Sequence, residues 1–513
     1  MNTNHYPGPT PGGRPVSNLN RREFLAGAAG AAGKSAAPAR PNILFVMVDE
    51  MRFDALRCAG HPFIETPNLD RLARQGTRFE NAYTVSPVCC PARASAFTGR
   101  YAHVHGVTIN DVPANEGEVF LPSILKHYGY HTAISGKLHF SPQRFDYGFD
   151  KFWTFTSEGP TPELGLIAHC QRKYGSRNKW TRVEGSCPWP DDPLGKDVGL
   201  FRWDREDFET EWITDRSIEY LRSRQGSGQP WFLFTSYLKP HSPSVEMEPW
   251  FSKYSPGRMP MPKLPPNARH IRMSVPENRR RQFVDDEKMI RVMSAIYYGM
   301  TSHVDENLGR LFGELDKLGM ADQTLILFTA DHGNMLGDRG RWFKGLQYEG
   351  SAHVPLIWRG PKGSAENTGK TIRPVVEGTD VMPAILETAG IPIPEGVQGR
   401  SFLSLARGRD KNWKDRSFSQ LRGASYVEGG FKTIDDSLDG TGARELYDLR
   451  NDPREERNLA DEPKHRDRVQ HALAELRKWR ADRPLPIRVP GMSAPEYAHL
   501  SARERAQYQP SRP

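Results

Sequence analysis

Several short apolar runs divide this chain, and charged or polar residues follow each run at once. Asn42–Asp49, Trp231–Tyr237 and Thr324–Ala330 are continuous apolar runs, and Tyr130–Ser135 resembles them. Such runs are typical of strands buried on both faces of a parallel sheet. We therefore expect each strand to deliver polar side chains to the carboxyl edge of one sheet, where ligands bind in open α/β folds.

Segments with helical spacing alternate with these strands. The predicted helices are Thr66–Ala73, Leu121–Tyr128, Glu211–Arg222, Lys288–Leu318, Val381–Ala389 and Lys464–Trp479. Strands that alternate with helices favour an α/β fold with a mostly parallel central sheet flanked by helices. After about residue 375 the chain becomes rich in Gly, Arg and Asp, with short strands such as Glu445–Leu449. This change predicts a smaller C-terminal α+β subdomain.

The first 39 residues have the composition of a targeting segment. Arg21 and Arg22 precede a short, weakly apolar Ala/Gly run that ends in small residues before Ala39. The pattern is that of a signal peptide whose apolar region is too short to span a bilayer. The paired arginines resemble a twin-arginine export signal, which predicts a bacterial protein of the periplasm or extracellular space. The alternative is a disordered basic tail.

Composition places three further boundaries. Residues 40–374 are predicted to form the catalytic domain, 375–483 the C-terminal subdomain and 484–513 a loosely packed Pro- and Arg-rich tail. The polar segment 156–205, rich in Gly, Pro and Trp, is predicted to be an irregular insertion that faces the substrate. No later segment reaches the roughly 18 apolar residues of a membrane span, so we expect none.

Charge and cysteine content exclude some classes of protein. The 513 residues carry a formal net charge of +8, which is compatible with an anionic substrate. The chain has no Lys/Arg block or base-stacking pattern, so no nucleic-acid partner is expected. Five cysteines without regular spacing argue against a disulfide framework, although a Cys170–Cys187 bridge stays open.

The most informative motif begins at Cys89. Pro91 follows it closely and can occupy the first turn of a helix, and Arg93 lies one turn on. Backbone N–H groups at a helix start, together with Arg93, would form a positive pocket for an anion. Such a pocket would lower the pKa of the Cys89 thiol and make it a nucleophile. The alternative is a buried thiol beside a turn.

Cys89-x-Pro91-x-Arg93, followed by Thr98-Gly99-Arg100, resembles the signature of the formylglycine-dependent (type I) sulfatases of the alkaline phosphatase superfamily. The resemblance runs from Pro41 to about Ala460 and implies an alkaline-phosphatase-like fold. It implies that a formylglycine-generating or sulfatase-maturating enzyme converts Cys89 to formylglycine (3-oxoalanine), whose hydrate is the nucleophile. That hydrate would attack sulfur in line and expel the alcohol, and the covalent sulfate would leave as the aldehyde reforms.

The resemblance also implies a metal site. Asp49 and Glu50 end the first strand, and Asp331 and His332 end the strand Thr324–Ala330. The family binds a divalent cation at these places, usually Ca²⁺, with Mg²⁺ or Mn²⁺ as alternatives, and hard cations prefer oxygen ligands. The Asp-His pair is similar to that of the choline sulfatase, iduronate sulfatase and phosphonate monoester hydrolase branches. Many sulfatases carry two aspartates in the first pair, so Glu50 departs from the pattern and is carried over with less support.

Three more elements occur in family order. Gly136-Lys137-Leu138-His139 implies that Lys137 binds the nucleophile or sulfate and that His139 assists the aldehyde hydrate. Lys239-Pro240-His241 implies that His241 is the general acid for the leaving group. Lys344, followed by Glu349-Gly350 and Val354-Pro355, would contact the sulfate. Arg93 and Lys137 would stabilise the diol oxygen.

Together these motifs predict a sulfuric ester hydrolase that acts on a sulfated carbohydrate or an aryl sulfate. A phosphonate monoester or phosphodiester hydrolase with the same nucleophile is the alternative, and a non-catalytic glycan-binding relative is a third reading. His103 and His105 are predicted to be structural, and Asn110 to line the pocket.

Overall fold

The computed structural model describes residues 40–154, 160–174, 198–201, 203–262, 287–437 and 442–499. The predicted signal peptide at 1–39 and Cys187 lie outside these residues, so the proposed Cys170–Cys187 bridge does too. Cys170 itself is a buried residue on a helix. Among the described residues, no helix has the length and apolar character needed to cross a membrane.

A nine-stranded sheet organises the main body. The strands of the chain, in order, are β1 (Asn42–Asp49), β2 (Thr77–Tyr83), β3 (His131–Gly136), β4 (Lys151–Thr154), β5 (Val198–Leu200), β6 (Trp231–Pro240), β7 (Ser244–Glu246), β8 (Thr324–Ala330), β9 (His353–Arg359), β10 (Thr371–Ile372), β11 (Val376–Glu377), β12 (Arg416–Leu421), β13 (Gly423–Glu428), β14 (Phe431–Asp435) and β15 (Arg444–Asp448). The order across the main sheet is β10-β2-β9-β8-β1-β6-β3-β4, and β11 also pairs with β2. Only β9 runs antiparallel to its neighbours β2 and β8 in this described sheet, so the predicted mostly parallel sheet is confirmed.

The centre of this sheet follows from the apolar runs. Every residue of β1, β6 and β8 is buried, as expected for strands covered on both faces. β1 pairs in parallel with both β6 and β8. Val48 is opposite Ala330, and Asp49 is opposite Pro240. The polar residues that follow these three strands therefore meet at one edge.

Helices cover the sheet where the spacing predicts them. They are α1 (Pro67–Gln75), α2 (Cys89–Thr98), α3 (Ala102–His105), α4 (Leu121–His127), α5 (Leu166–Tyr174), α6 (Glu209–Arg224), α7 (Glu287–Lys317), α8 (Glu349–Ala352), α9 (Val381–Thr388), α10 (Leu403–Ala406) and α11 (Arg466–Ala481). All six predicted helices are confirmed, although their observed ends differ from the predicted ends by a few residues. Pro91 lies in the first turn of α2, where its missing N–H costs no intrahelical bond.

The C-terminal subdomain begins later than predicted. β11 pairs with β2 of the main sheet, and α9 and α10 contribute their apolar residues to the main core. The separate antiparallel sheet β12-β13-β14-β15 starts only at Arg416 and packs against α11 around a second apolar cluster. The boundary near 375 is therefore wrong, because the apolar positions of 376–406 bury against the first sheet.

Two other expectations need correction. The segment 156–205, predicted to be irregular, contains α5 and the strand β5, which pairs with β7. The start of the tail is packed rather than loose, because Ile487 and Ala498 are buried. Arg100 also donates a hydrogen bond to the carbonyl oxygen of Leu485 in this segment.

Candidate active site

The ends of β1 and β8 bring four ligand-type side chains together. The carboxylates of Asp49 and Asp331, the imidazole of His332 and the thiol of Cys89 offer ligand atoms that all lie within 4.8 Å of one another. All four side chains are buried. Two carboxylates in this set suit a hard divalent cation, and one imidazole completes a mixed ligand set. We call these four residues the strand-end cluster; their donor atoms fit a divalent cation.

Cys89 lies at the start of α2 and faces this cluster. Its Sγ is 3.2 Å from Nε2 of His332, 3.3 Å from Nζ of Lys344 and 3.7 Å from Oδ1 of Asp49. Burial alone would raise the pKa of the thiol, but Lys137, Lys344 and His332 outweigh it and hold that pKa well below its usual value. The structure thus places an acidic thiol among cations.

Charges in the strand-end cluster are compensated by lysines. The Lys137 ammonium donates to Oδ2 of Asp49, and both groups are buried. Burial and Cys89 would raise the pKa of Asp49, yet Lys137, His241 and Lys344 keep it well below its usual value. Burial would lower the pKa of His332, but Asp331 and Cys89 raise it to about 9. These lysines balance the negative charge of the buried acids.

Arg93 contacts the metal-ligand candidates and is fully buried. Its Nε donates to Oδ2 of Asp331 at 2.8 Å, and its Nη1 donates to the carbonyl oxygen of Lys137 and to Oγ of Ser236. Its Nη2 lies 3.7 Å from Oδ2 of Asp49. The guanidinium therefore spans the two strand ends, and its predicted contact with the diol oxygen stays a prediction.

Glu50 occupies a neighbouring group with Asp49 and His241, beside the strand-end cluster. Its Oε2 is 3.2 Å from Nζ of Lys344 and 3.4 Å from Nε2 of His241, while its Oε1 accepts a hydrogen bond from Nδ2 of Asn334 at 2.8 Å. The carboxylate thus already has three polar partners. Its role as a metal ligand stays a prediction.

The remaining predicted residues differ in their distance from the strand-end cluster. His139 is partly exposed and contributes to lowering the pKa of the Cys89 thiol. Lys239 precedes His241 but is turned away, because its Nζ is 3.0 Å from Oε1 of Glu209 and donates to the carbonyl oxygen of Pro243. His241 therefore reaches the site and Lys239 does not.

Ser236 and Asn334 are site residues that the sequence reasoning missed. Ser236 lies inside an apolar run, and Asn334 is two residues after His332. Of the two, only Asn334 could have been suspected from the sequence, because it lies beside the Asp331-His332 motif. Asn110, which was predicted to line the pocket, accepts a hydrogen bond from the backbone N–H of Cys90 at 3.0 Å.

His103 and His105 lie outside the cluster. Nε2 of His105 pairs with Oγ of Ser95 at 2.8 Å, and Nδ1 of His103 pairs with Oε1 of Gln420 at 2.9 Å. These contacts agree with structural roles. They also connect the helix that follows the signature to the C-terminal sheet.

The C-terminal subdomain borders the loop that leads into Cys89. The backbone N–H of Gln420 in β12 donates to the carbonyl oxygen of Val85, and the N–H of Gly345 donates to that of Pro87, both at 3.0 Å. Lys344 is therefore anchored through its neighbour Gly345 to the same loop. The distance of Lys344 from Cys89 depends on contacts between distant segments.

Two family models match the chain. The model described as "Sulfatase" matches residues 41–391. The model described as "N-sulphoglucosamine sulphohydrolase, C-terminal" matches residues 337–482. The second match covers the four-stranded sheet and α11.

Individual proteins agree with these matches. An arylsulfatase of Clostridium perfringens is 32% identical over 466 residues, which cover 84% of this chain and 92% of that protein. A choline-sulfatase of Rhizobium meliloti is 32% identical over 454 residues, with 83% of each chain covered. The solved structure of the phosphonate monoester hydrolase SpPMH from Silicibacter pomeroyi superimposes with a TM-score of 0.73 at 25% identity, covering 86% of this chain and 95% of that one.

Proposed function

The chain belongs to the sulfatase family and is a sulfuric ester hydrolase, and we propose that its reaction depends on a formylglycine made from Cys89 and on one divalent cation. Members of this family generally use both groups. One observation carries the proposal for this chain: Sγ of Cys89 lies within 3.7 Å of Asp49, His332 and Lys344. A nucleophile formed at this position would be next to both the cation ligands and a sulfate-binding lysine.

We assign the cation, in the first instance Ca²⁺, to Asp49, Asp331 and His332. When bound, it would supply positive charge to one sulfate oxygen and to the nucleophile. Arg93 would hold the Asp331 carboxylate in place through its 2.8 Å hydrogen bond. Such outer contacts orient ligands and tune a metal site.

The cationic side chains would act on the sulfate itself. A sulfate transition state carries charge on its oxygens and on the leaving alkoxide, so fixed cations stabilise it. Lys344 contacts Cys89 and Lys137 contacts Asp49, and both lysines would take this role. His139 would move a proton at the nucleophile, and His241 would donate one to the leaving oxygen.

The proposed substrate is a sulfate ester of a carbohydrate or a phenol. The similarity to SpPMH supports a second candidate activity on phosphonate monoesters, because that protein shares the fold at 25% identity. Paired measurements of kcat/KM on 4-nitrophenyl sulfate and on a phenyl phosphonate monoester distinguish them. A larger kcat/KM for the phosphorus ester would reverse the assignment.

We also propose that the chain is matured and exported by a twin-arginine route to the periplasm or beyond. The paired arginines Arg21 and Arg22 support this route. Export of a folded protein suits a site that a cytoplasmic maturation enzyme must first modify. Replacing both arginines with lysines is expected to leave the enzyme in the cytoplasm, and unchanged export would contradict the route.

Mass spectrometry of the tryptic peptide Phe79–Arg93 tests the nucleophile. Conversion of Cys89 removes one sulfur and two hydrogens and adds one oxygen, while Cys90 keeps its thiol. Cys89→Ala is expected to abolish turnover, and the matched variant Cys90→Ala is expected to retain both turnover and the modified peptide. Two intact thiols in a fully active enzyme would overturn the mechanism.

A further inference from the structure

A third group of ligand-type side chains lies beside the strand-end cluster and shares no residue with it. It consists of the Cys90 thiol, the Asp111 carboxylate and the His139 imidazole, whose ligand atoms all lie within 4.8 Å of one another. Nε2 of His139 is 3.8 Å from Oδ1 of Asp111. We call these residues the thiol triad.

The backbone fixes the thiol triad from three separate elements. Cys90 lies in the first turn of α2, Asp111 lies in a turn, and His139 follows β3. Asp111 and His139 both have left-handed backbone, with φ of 65° and 60°. Asn110 accepts the backbone N–H of Cys90 at 3.0 Å, which joins the Asp111 turn to the helix. This hydrogen bond positions the Asp111 turn beside Cys90 without using the ligand atoms of either residue.

The chemistry of the thiol triad differs from that of the strand-end cluster. Thiolate, imidazole and carboxylate together are the ligand types of Zn²⁺, whereas Ca²⁺ takes oxygen ligands. Bond lengths of about 2.0–2.3 Å in a tetrahedral zinc site put ligand atoms roughly 3.3–3.8 Å apart. For a nitrogen–oxygen pair the distance is about 3.4 Å, so the 3.8 Å between Nε2 of His139 and Oδ1 of Asp111 would shorten by about 0.4 Å on binding. The Asp111 side chain is 71% exposed, so it has room to make this adjustment.

Access and proton balance are also compatible with metal binding. The exposed Asp111 and the partly exposed His139 open the thiol triad to solvent, while Cys90 is buried. A bound cation would take the thiolate, and the displaced proton would pass to solvent.

We propose that the thiol triad is an inhibitory site for a thiophilic divalent cation of the Zn²⁺ class. The His139 ligand atom lies within 4.8 Å of that of Cys90, the chain neighbour of Cys89, so a cation that takes up the His139 imidazole would withdraw this group from the nucleophile. The inhibitory consequence rests on the proposed function, whereas binding of the cation does not. The enzyme would then need a hard cation in the strand-end cluster for turnover. A softer cation in the thiol triad would inhibit it.

Cation binding to the thiol triad is measured first, in a variant that does not depend on conversion of Cys89 to formylglycine. Co²⁺ serves as the probe, because a cobalt–thiolate bond gives a charge-transfer absorption in the near ultraviolet. The background is Cys89→Ser, which carries no sulfur in the strand-end cluster. We expect one equivalent of thiolate-bound Co²⁺, displaced by Zn²⁺, and loss of the band in Cys89→Ser/Cys90→Ser. Cys58→Ser in the same background is the matched control, since Cys58 lies beside Asp70 and belongs to no ligand group found among the described residues.

Inhibition is then measured on the matured enzyme in saturating Ca²⁺. Zn²⁺ is expected to inhibit wild type at least about tenfold more strongly than Cys90→Ser or Asp111→Asn, because each variant removes one ligand. Asp111→Asn changes a side chain that is 71% exposed, so we expect the fold to stay intact. Equal Zn²⁺ inhibition of all three proteins, or a cobalt–thiolate band that survives Cys90→Ser, would overturn the proposal. If the matured enzyme hydrolyses no sulfate ester, the cobalt experiment still decides whether the site exists.

Discussion

Nε of Arg93 donates a 2.8 Å hydrogen bond to Oδ2 of Asp331, and both side chains are fully buried. The two residues are 238 positions apart in the chain. The signature helix is thereby tied to the end of β8. A residue expected to contact the nucleophile thus also fixes a candidate metal ligand.

Arg93→Lys keeps the positive charge but loses the planar guanidinium that joins Asp331, Ser236 and the Lys137 carbonyl. We expect cation affinity to fall about 10–100-fold, as for other residues that orient metal ligands. Calorimetric titration of the metal-free enzyme with Ca²⁺ measures this. Arg100→Lys is the matched control: Arg100 is also buried, but it binds Glu118 and backbone carbonyls and is expected to leave affinity unchanged.

Removal of the cation by a chelator is expected to abolish turnover and lower the melting temperature. Binding to the folded state alone adds about 2.7 kcal/mol of stability at 100 times Kd. Differential scanning calorimetry with and without Ca²⁺ measures the shift. Asp331→Asn should lose this dependence, and a Ca²⁺-dependent shift of unchanged size in that variant would exclude Asp331 as a ligand.

His241→Asn separates general acid catalysis from sulfate binding. A poor leaving group needs a proton in the transition state, so kcat on an alkyl or sugar sulfate is expected to fall about 10²–10⁴-fold. On 4-nitrophenyl sulfate, whose phenolate leaves readily, the loss should be much smaller. His103→Asn is the control, because His103 contacts Gln420 outside the cluster. Equal losses on both substrates would assign His241 another role.

His303 predicts a specific dependence of stability on pH. It lies between the carboxylates of Glu246 and Glu211, each 2.9 Å away. Burial would lower its pKa, but Glu246 and Glu211 raise it from 6.5 to about 9. The protonated form is therefore favoured by folding, so its contribution is complete below pH 6.5 and is lost as the pH rises through about 9.

That contribution amounts to about 3 kcal/mol, at 1.36 kcal/mol for each pKa unit. Urea unfolding across this pH range should show the loss in wild type and a flatter profile in His303→Gln. His105→Gln is the control, because burial, with Arg100 and His103 nearby, lowers the pKa of His105 to about 3. His105 is therefore neutral throughout this range, and its replacement should not alter the slope.

The buried strands, and the polar residues at their carboxyl ends, could be predicted from the sequence. Apolar runs in β1, β6 and β8 required burial on both faces, and parallel pairing then placed Asp49, His241 and Asp331 at one edge. Local patterns also located α2 with Pro91 in its first turn. These features depend on residues close together in the chain, which is why they were predictable.

Other features depended on contacts that no local pattern encodes. The domain boundary near 375 was wrong because the apolar face of α9 packs on the first sheet, whereas the composition changes earlier. Lys239 precedes the site histidine in sequence, yet it turns to Glu209 because that carboxylate is its buried partner. Ser236 gave no signal, since a serine inside an apolar strand is usually only a core residue.

The sequence by itself determined the family, the α/β sheet and the residue types that converge on its carboxyl edge, because strand burial and motif order are local properties. The tertiary structure decided which side chain contacts which. It directs Arg93 to Asp331, gives Glu50 the partners Lys344, His241 and Asn334, and gathers Cys90, Asp111 and His139 into the thiol triad. These choices follow from long-range packing and charge pairing in a buried site, where each polar group must find a partner among residues distant in the chain.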